Sequence, residues 1–132
     1  MTNREQYNQL IQYRKENPPV DCYIEIHHIL PRCCGGDNSS ENLVHLTGAE
    51  HFKAHYFLAK AMLDENDSMS SKMIYALRLL SNRVLTNDNL SPQELQDIAT
   101  KYEETKKCFT KKYLMKEEVK ITASMESIIR KR

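Results

Sequence analysis

The 132 residues, with 28% charged and 40% hydrophobic side chains, fit one ordinary globular domain with a modest core and exclude a disordered chain. No apolar run approaches the length of a membrane span, and the opening MTNREQYNQL has no apolar signal segment, so a cytoplasmic protein is expected. The formal net charge is only +1, yet Lys101 to Arg132 holds 10 basic and 5 acidic side chains, which points to a polyanion partner or, more plainly, to a solvated helix face.

In chain order, NREQYNQLIQYRKE, residues 3–16, places Tyr7, Leu10, Ile11 and Arg14 at helical spacing, and Pro18-Pro19 stops the helix. CYIEIHHI, residues 22–29, is rich in β-branched and aromatic side chains and predicts a strand. The loop PRCCGGDNSSEN, residues 31–42, turns at Gly35-Gly36. Twelve residues without regular structure inside a small domain usually serve a function. LVHLT, residues 43–47, predicts a second short strand, with His45 as an outward polar position between Val44 and Leu46.

Thr47 followed by Glu50 is a capping box, so a helix begins there. Phe52, Tyr56, Ala59 and Leu63 form its apolar stripe, and its end is expected near Asp64 to Asp67. A further helix is expected over 70–85, with Met73, Leu77, Leu80 and Val84 on one face. Ser91-Pro92-Gln93-Glu94 is a second capping box, opening a helix whose inner stripe is Leu95, Ile98, Ala99, Tyr102 and Phe109. The tail after Phe109 reads as a weakly amphipathic, basic helix. The expected fold is α+β and mostly helical, divided into an N-terminal helix (1–20), a core (21–66) and a C-terminal helical region (67–132).

Cys22, Cys33, Cys34 and Cys108 form no CxxC pair, which argues against a four-cysteine zinc ribbon and for free thiols. The histidines carry more information. All 5 lie in one stretch, EIHHILPRCCGGDNSSENLVHLTGAEHFKAH, from Glu25 to His55. His51 and His55 are four apart on the expected helix and therefore share a face, the geometry by which a helix offers two imidazoles to one ion. His27 and His28 end the first strand, where successive side chains project to opposite sides, so one can ligate while its neighbour does something else.

The His-His pair, the glycine loop, Asn42 and the HxxxH helix together resemble the HNH nuclease motif, also called the ββα-metal or His-Me finger. The resemblance spans about residues 23–64. It matches at His28, Asn42 and His51, and also at His27, Pro31, Gly36 and His55. The wording is similar to small phage HNH endonucleases, some of them homing enzymes, and the HxxxH ending to the DNase domains of colicin-type toxins. The resemblance implies two short antiparallel strands, a long loop and a helix, with flanking helices around them. It implies hydrolysis of DNA phosphodiester bonds, with double-stranded DNA as partner and a phage or mobile element as source. It makes His28 the general base that activates water. His27, His51 and His55 become the ligands of one divalent metal ion, and Asn42 the residue that ties down the loop behind His28 and fixes its ring.

These residue types suit that chemistry on their own terms. In-line attack of water on a phosphodiester builds negative charge that a metal ion stabilises as a Lewis acid. An imidazole, with an ordinary pKa near ~6.5, accepts a proton from water at neutral pH. Three imidazoles suit zinc, nickel, cobalt or manganese better than magnesium, although nucleases often accept several ions. Arg32 in the loop is a candidate phosphate contact, and Glu25, two before His27, a candidate hydrogen-bond partner for a ligand histidine. Two other readings compete. One is a closed structural zinc module that binds nucleic acid without cutting it, formed by the three histidines with Cys33 or Cys34. The other is a degenerate relative acting in assembly, for example in phage DNA packaging.

Overall fold

The computed structural model describes residues 1–80 and 89–110. Thr2 caps the first helix, α1 (Asn3–Glu16), its hydroxyl accepting from Glu5 N. Strand β1 (Ile24–His28) is two residues shorter at its start than the sequence suggests, and pairs antiparallel with β2 (Leu43–Thr47) in a two-stranded sheet. Between them the loop is not wholly irregular. Two short 3-10 turns, Arg32–Cys34 and Ser40–Asn42, sit at its ends. Helix α2 (Gly48–Asp64) starts at the expected capping box: Thr47 Oγ1 accepts from Glu50 N, and the Glu50 carboxylate accepts from Thr47 N. Helix α3 (Ser70–Leu80) follows, and the segment 92–110 forms α4, where Ser91 and Glu94 make the second capping box. The arrangement is α+β and mostly helical. The expected contribution of Val84 and the expected helical tail after Phe109 fall outside the described residues, the tail beginning its undescribed part at 111.

The register pairs Glu25 with Leu46 and His27 with Val44. The alternation of a strand therefore puts these four on one face, against α2, and turns Ile24 and Ile26 outward, where Ile26 is 57% exposed. Burial normally selects the aliphatic face of a strand. Here β1 buries its polar face and leaves β2 to supply the apolar side chains.

Helix α2 is the central element, with α1, the sheet, α3 and α4 around it. It buries Phe52, Tyr56 and Ala59 as the stripe predicts, and also Ala54, Leu58, Ala61 and Met62 on other sides. Leu46 and Phe52 have no exposed surface. Side chains of that size contribute roughly 1.5–3 kcal/mol each when fully buried. Helix α4 runs antiparallel along α2. Leu90 N donates to the Tyr56 hydroxyl, the Tyr102 ring packs on Phe52, and Glu103 lies against Gly48, where an added Cβ would come within 2.9 Å of its side chain.

That alignment corrects two expectations. Leu63 lies on α2 beyond the point where α4 begins and is 38% exposed. Phe109 lies on α4 nearly two turns past the start of α2 and is 72% exposed. Both continue a helical stripe, but the neighbouring helix does not extend far enough to cover them.

Candidate metal centre

β1 contributes His27 from its buried face, and α2 contributes His51 and His55 from successive turns. Their candidate ligand nitrogens all lie within 4.8 Å of one another, and this is the one such group of three among the described residues. The ring centroids are 5.2 Å apart for His27 and His51, 5.3 Å for His27 and His55, and 4.8 Å for His51 and His55. Three imidazoles around one tetrahedral ion, at nitrogen distances of ~2.0–2.1 Å, would hold their centroids about 5 Å apart and their ligand nitrogens about 3.3 Å apart. His51 Nε2 and His55 Nε2 are 3.1 Å apart. His55 Nδ1 is enclosed and has no hydrogen-bond partner. A buried imidazole nitrogen without a partner carries a desolvation penalty that coordination to a cation would relieve. The donor set fits a divalent metal.

The surroundings fix which nitrogens are free. The Tyr7 hydroxyl donates its single proton to Ile29 O at 2.8 Å, so the 2.8 Å contact between Tyr7 Oη and His27 Nε2 requires His27 to donate. The lone pair of His27 is then on Nδ1. His51 Nδ1 donates to Glu25 Oε1 at 2.9 Å, which leaves the lone pair of His51 on Nε2. Glu25 also accepts from the Tyr102 hydroxyl at 2.9 Å and from the Tyr23 hydroxyl at 2.7 Å. A carboxylate that orients a ligand histidine in this way sets the tautomer and the ring angle.

The electrostatics agree. Burial, reinforced by the neighbouring imidazoles, pushes His27 down to about 2 and His55 down to about 3, so both are neutral at physiological pH. Burial works against the charge on Glu25, but hydrogen bonds from His51, Tyr23 and Tyr102 outweigh it and hold the carboxyl down to about 2. Burial, with the bond to Glu25, pushes Tyr23 up to about 12 and Tyr102 higher still, and burial also raises Tyr7, so these hydroxyls stay protonated donors.

His28 ends β1 and is half-buried. Its ring meets Asn38, with Nε2 2.8 Å from Oδ1. Asn42, expected to tie down the loop behind His28 and to fix its ring, bonds the loop backbone and not the ring. Its Oδ1 accepts from Leu30 N at 2.7 Å, and its Nδ2 donates to Leu30 O at 3.0 Å and to Asp37 O at 2.9 Å. Both amide hydrogens are used on the backbone, so Asn42 clamps the loop and leaves the ring to Asn38. Gly36 permits this close clamp, because a Cβ there would collide with Leu30 O and lie 2.9 Å from Asn42 Nδ2.

Arg32 is exposed at the start of the first 3-10 turn. Cys33 and Cys34, with sulfurs 3.8 Å apart, stand outside the imidazole cluster, which weakens the closed zinc module. His45 is exposed, as its strand position predicts. Sequence reasoning missed Tyr7, Tyr23, Tyr102 and Asn38. Tyr7 and Tyr102 were visible only as members of apolar stripes, where nothing marks a hydroxyl as reaching a site.

No family model matches the chain, and no solved structure matches it. The chain is similar to the probable mobile endonuclease E of Enterobacteria phage T4, 52% identical over 54 residues, covering 41% of this chain and 38% of that protein. It is also similar to the probable mobile endonuclease D of the same phage, 48% identical over 58 residues, covering 41% of this chain and 22% of that protein. With the probable mobile endonuclease B it shares 58% identity over 38 residues, 29% of this chain and 14% of that protein. The matched part thus spans about two fifths or less of each of these relatives.

Proposed function

We propose that the chain is a metal-dependent endonuclease of the HNH type, hydrolysing DNA phosphodiester bonds and derived from a phage or mobile element. The observation that carries this reading is the close cluster of buried His27 with half-buried His51 and His55, and the half-buried His28 next to His27. The similarity to proteins named as probable mobile endonucleases supports the same activity class.

His27, His51 and His55 would hold one divalent ion, with Glu25 orienting His51 and Tyr7 orienting His27. Three protein ligands leave a coordination position open, as catalytic rather than structural sites do. When bound, the ion supplies Lewis-acid stabilisation of the charge that builds on the phosphate and leaving oxygen. His28 takes the proton from the attacking water. Asn42 holds the loop that carries the surroundings of His28, and Arg32 at the loop edge contacts a flanking phosphate. Double-stranded DNA is the expected substrate.

Metal-stripped protein should leave supercoiled plasmid intact. Adding zinc, nickel, cobalt, manganese or magnesium one at a time should restore nicking or linearisation with at least one ion. Cleavage that persists undiminished in the presence of a strong chelator would overturn the metal-dependent reading.

A further inference from the structure

An imidazole that is to accept a proton must present a lone pair on the nitrogen facing the water, and its other nitrogen must then carry hydrogen. Among the described residues the ring of His28 meets one side-chain partner, Asn38 Oδ1, 2.8 Å from Nε2. An amide oxygen only accepts, so Nε2 bears the proton and Nδ1 the lone pair. We propose that Asn38 is the positioning residue for His28, committing Nδ1 as the atom that takes the proton. This deepens, and rests on, the nuclease reading above.

Asn38 is exposed, yet its backbone is fixed on both sides. Asn42 Nδ2 donates to Asp37 O at 2.9 Å, and Asn42 N donates to Ser39 O at 3.0 Å. Ser39 N and Oγ donate to Asp37 Oδ1 at 3.1 and 2.7 Å, which directs that carboxylate oxygen to Ser39. Asn42 has both amide hydrogens engaged on Leu30 O and Asp37 O. The loop therefore divides two tasks between two asparagines: Asn42 holds the backbone, and Asn38, held by it, holds the ring. Without an acceptor at position 38, the ring of His28 is free to rotate about its side-chain bonds and to exchange tautomers. Only a fraction of molecules would then present the right nitrogen.

The test compares Asn38→Ala, Asn38→Asp and the wild type, each loaded with metal. Long-range proton–nitrogen correlation spectra of 15N-labelled histidine separate the protonated from the lone-pair nitrogen of His28. The wild type should show hydrogen on Nε2. Asn38→Ala should show averaged tautomers and a kcat lower by about 10- to 100-fold, with KM within about twofold and metal affinity unchanged. Asn38→Asp keeps an acceptor and should recover most of kcat, whatever its charge adds to KM.

A wild-type His28 protonated on Nδ1, an Asn38→Ala variant with wild-type kcat, or an Asn38→Asp variant as slow as Asn38→Ala would each overturn the proposal. A wild-type protein inert on DNA with every ion would sink the nuclease reading instead. The nitrogen spectra would still decide whether Asn38 holds the ring.

Discussion

His27 and His28 are adjacent in sequence and opposite in circumstance. His27 is 2% exposed, hydrogen-bonded to Tyr7 of α1 and packed against two half-buried imidazoles. His28 is half-buried and bonded to Asn38 of the loop. A ligand imidazole has to stay neutral with its lone pair aimed inward, and burial enforces that. A base has to meet water and exchange protons, and burial would prevent it. One step along a strand, which turns consecutive side chains to opposite sides, supplies both environments without a second structural element.

The largest expected effect tests that division directly. His28→Ala should lower kcat by about 10²- to 10⁴-fold while calorimetry shows metal bound as tightly as before. Lost metal binding in this variant would erase the distinction between the two histidines. Next come the proposed ligands. His51→Ala and His55→Ala should each weaken metal affinity by more than the ~10–100-fold typical of losing an outer partner. Unchanged titrations for both would mean the imidazole cluster is not a metal site.

Smaller effects sharpen the enclosed half of the comparison. Glu25→Gln keeps the size of the side chain and removes the charge that orients His51, and metal affinity should drop by about 10- to 100-fold. An unchanged affinity would reduce Glu25 to a packing role. Tyr7→Phe leaves the buried Nε2–H of His27 without an acceptor, and denaturant unfolding should show a loss of about 1–3 kcal/mol. No loss of stability would show that the contact to His27 is not maintained in solution.

Local signals in the sequence were clear where local physics decides. The capping boxes at Thr47 and Ser91 satisfy donors within four residues, and the i, i+4 spacing of His51 and His55 follows from the helix repeat alone. Glu25 was legible because it stands two before His27 on the same face of a strand. What stayed hidden depends on distant partners. β1 hides its polar face because His27 and Glu25 meet α2, which overrides the ordinary preference for burying Ile24 and Ile26. Tyr7 and Tyr102 join the site across 20 and 77 residues of sequence. Leu63 and Phe109 continue their stripes correctly but outrun the helices that would cover them. Asn38 and Asn42 are the same residue type in one loop, and only the hydrogen bonds distinguish the clamp from the ring holder.

The bond from Tyr102 to Glu25 gives the site an order of assembly during synthesis. A ribosome that has completed α2 has already delivered the three imidazoles, Glu25 and two of the three donors that hold it, His51 and Tyr23. The third donor arrives roughly 40 residues later, a delay of about 2–8 seconds at ordinary translation rates. In that interval the carboxylate that aims His51 lacks the tyrosine that braces it from α4. The set of hydrogen bonds to Glu25 is completed only when α4 has docked.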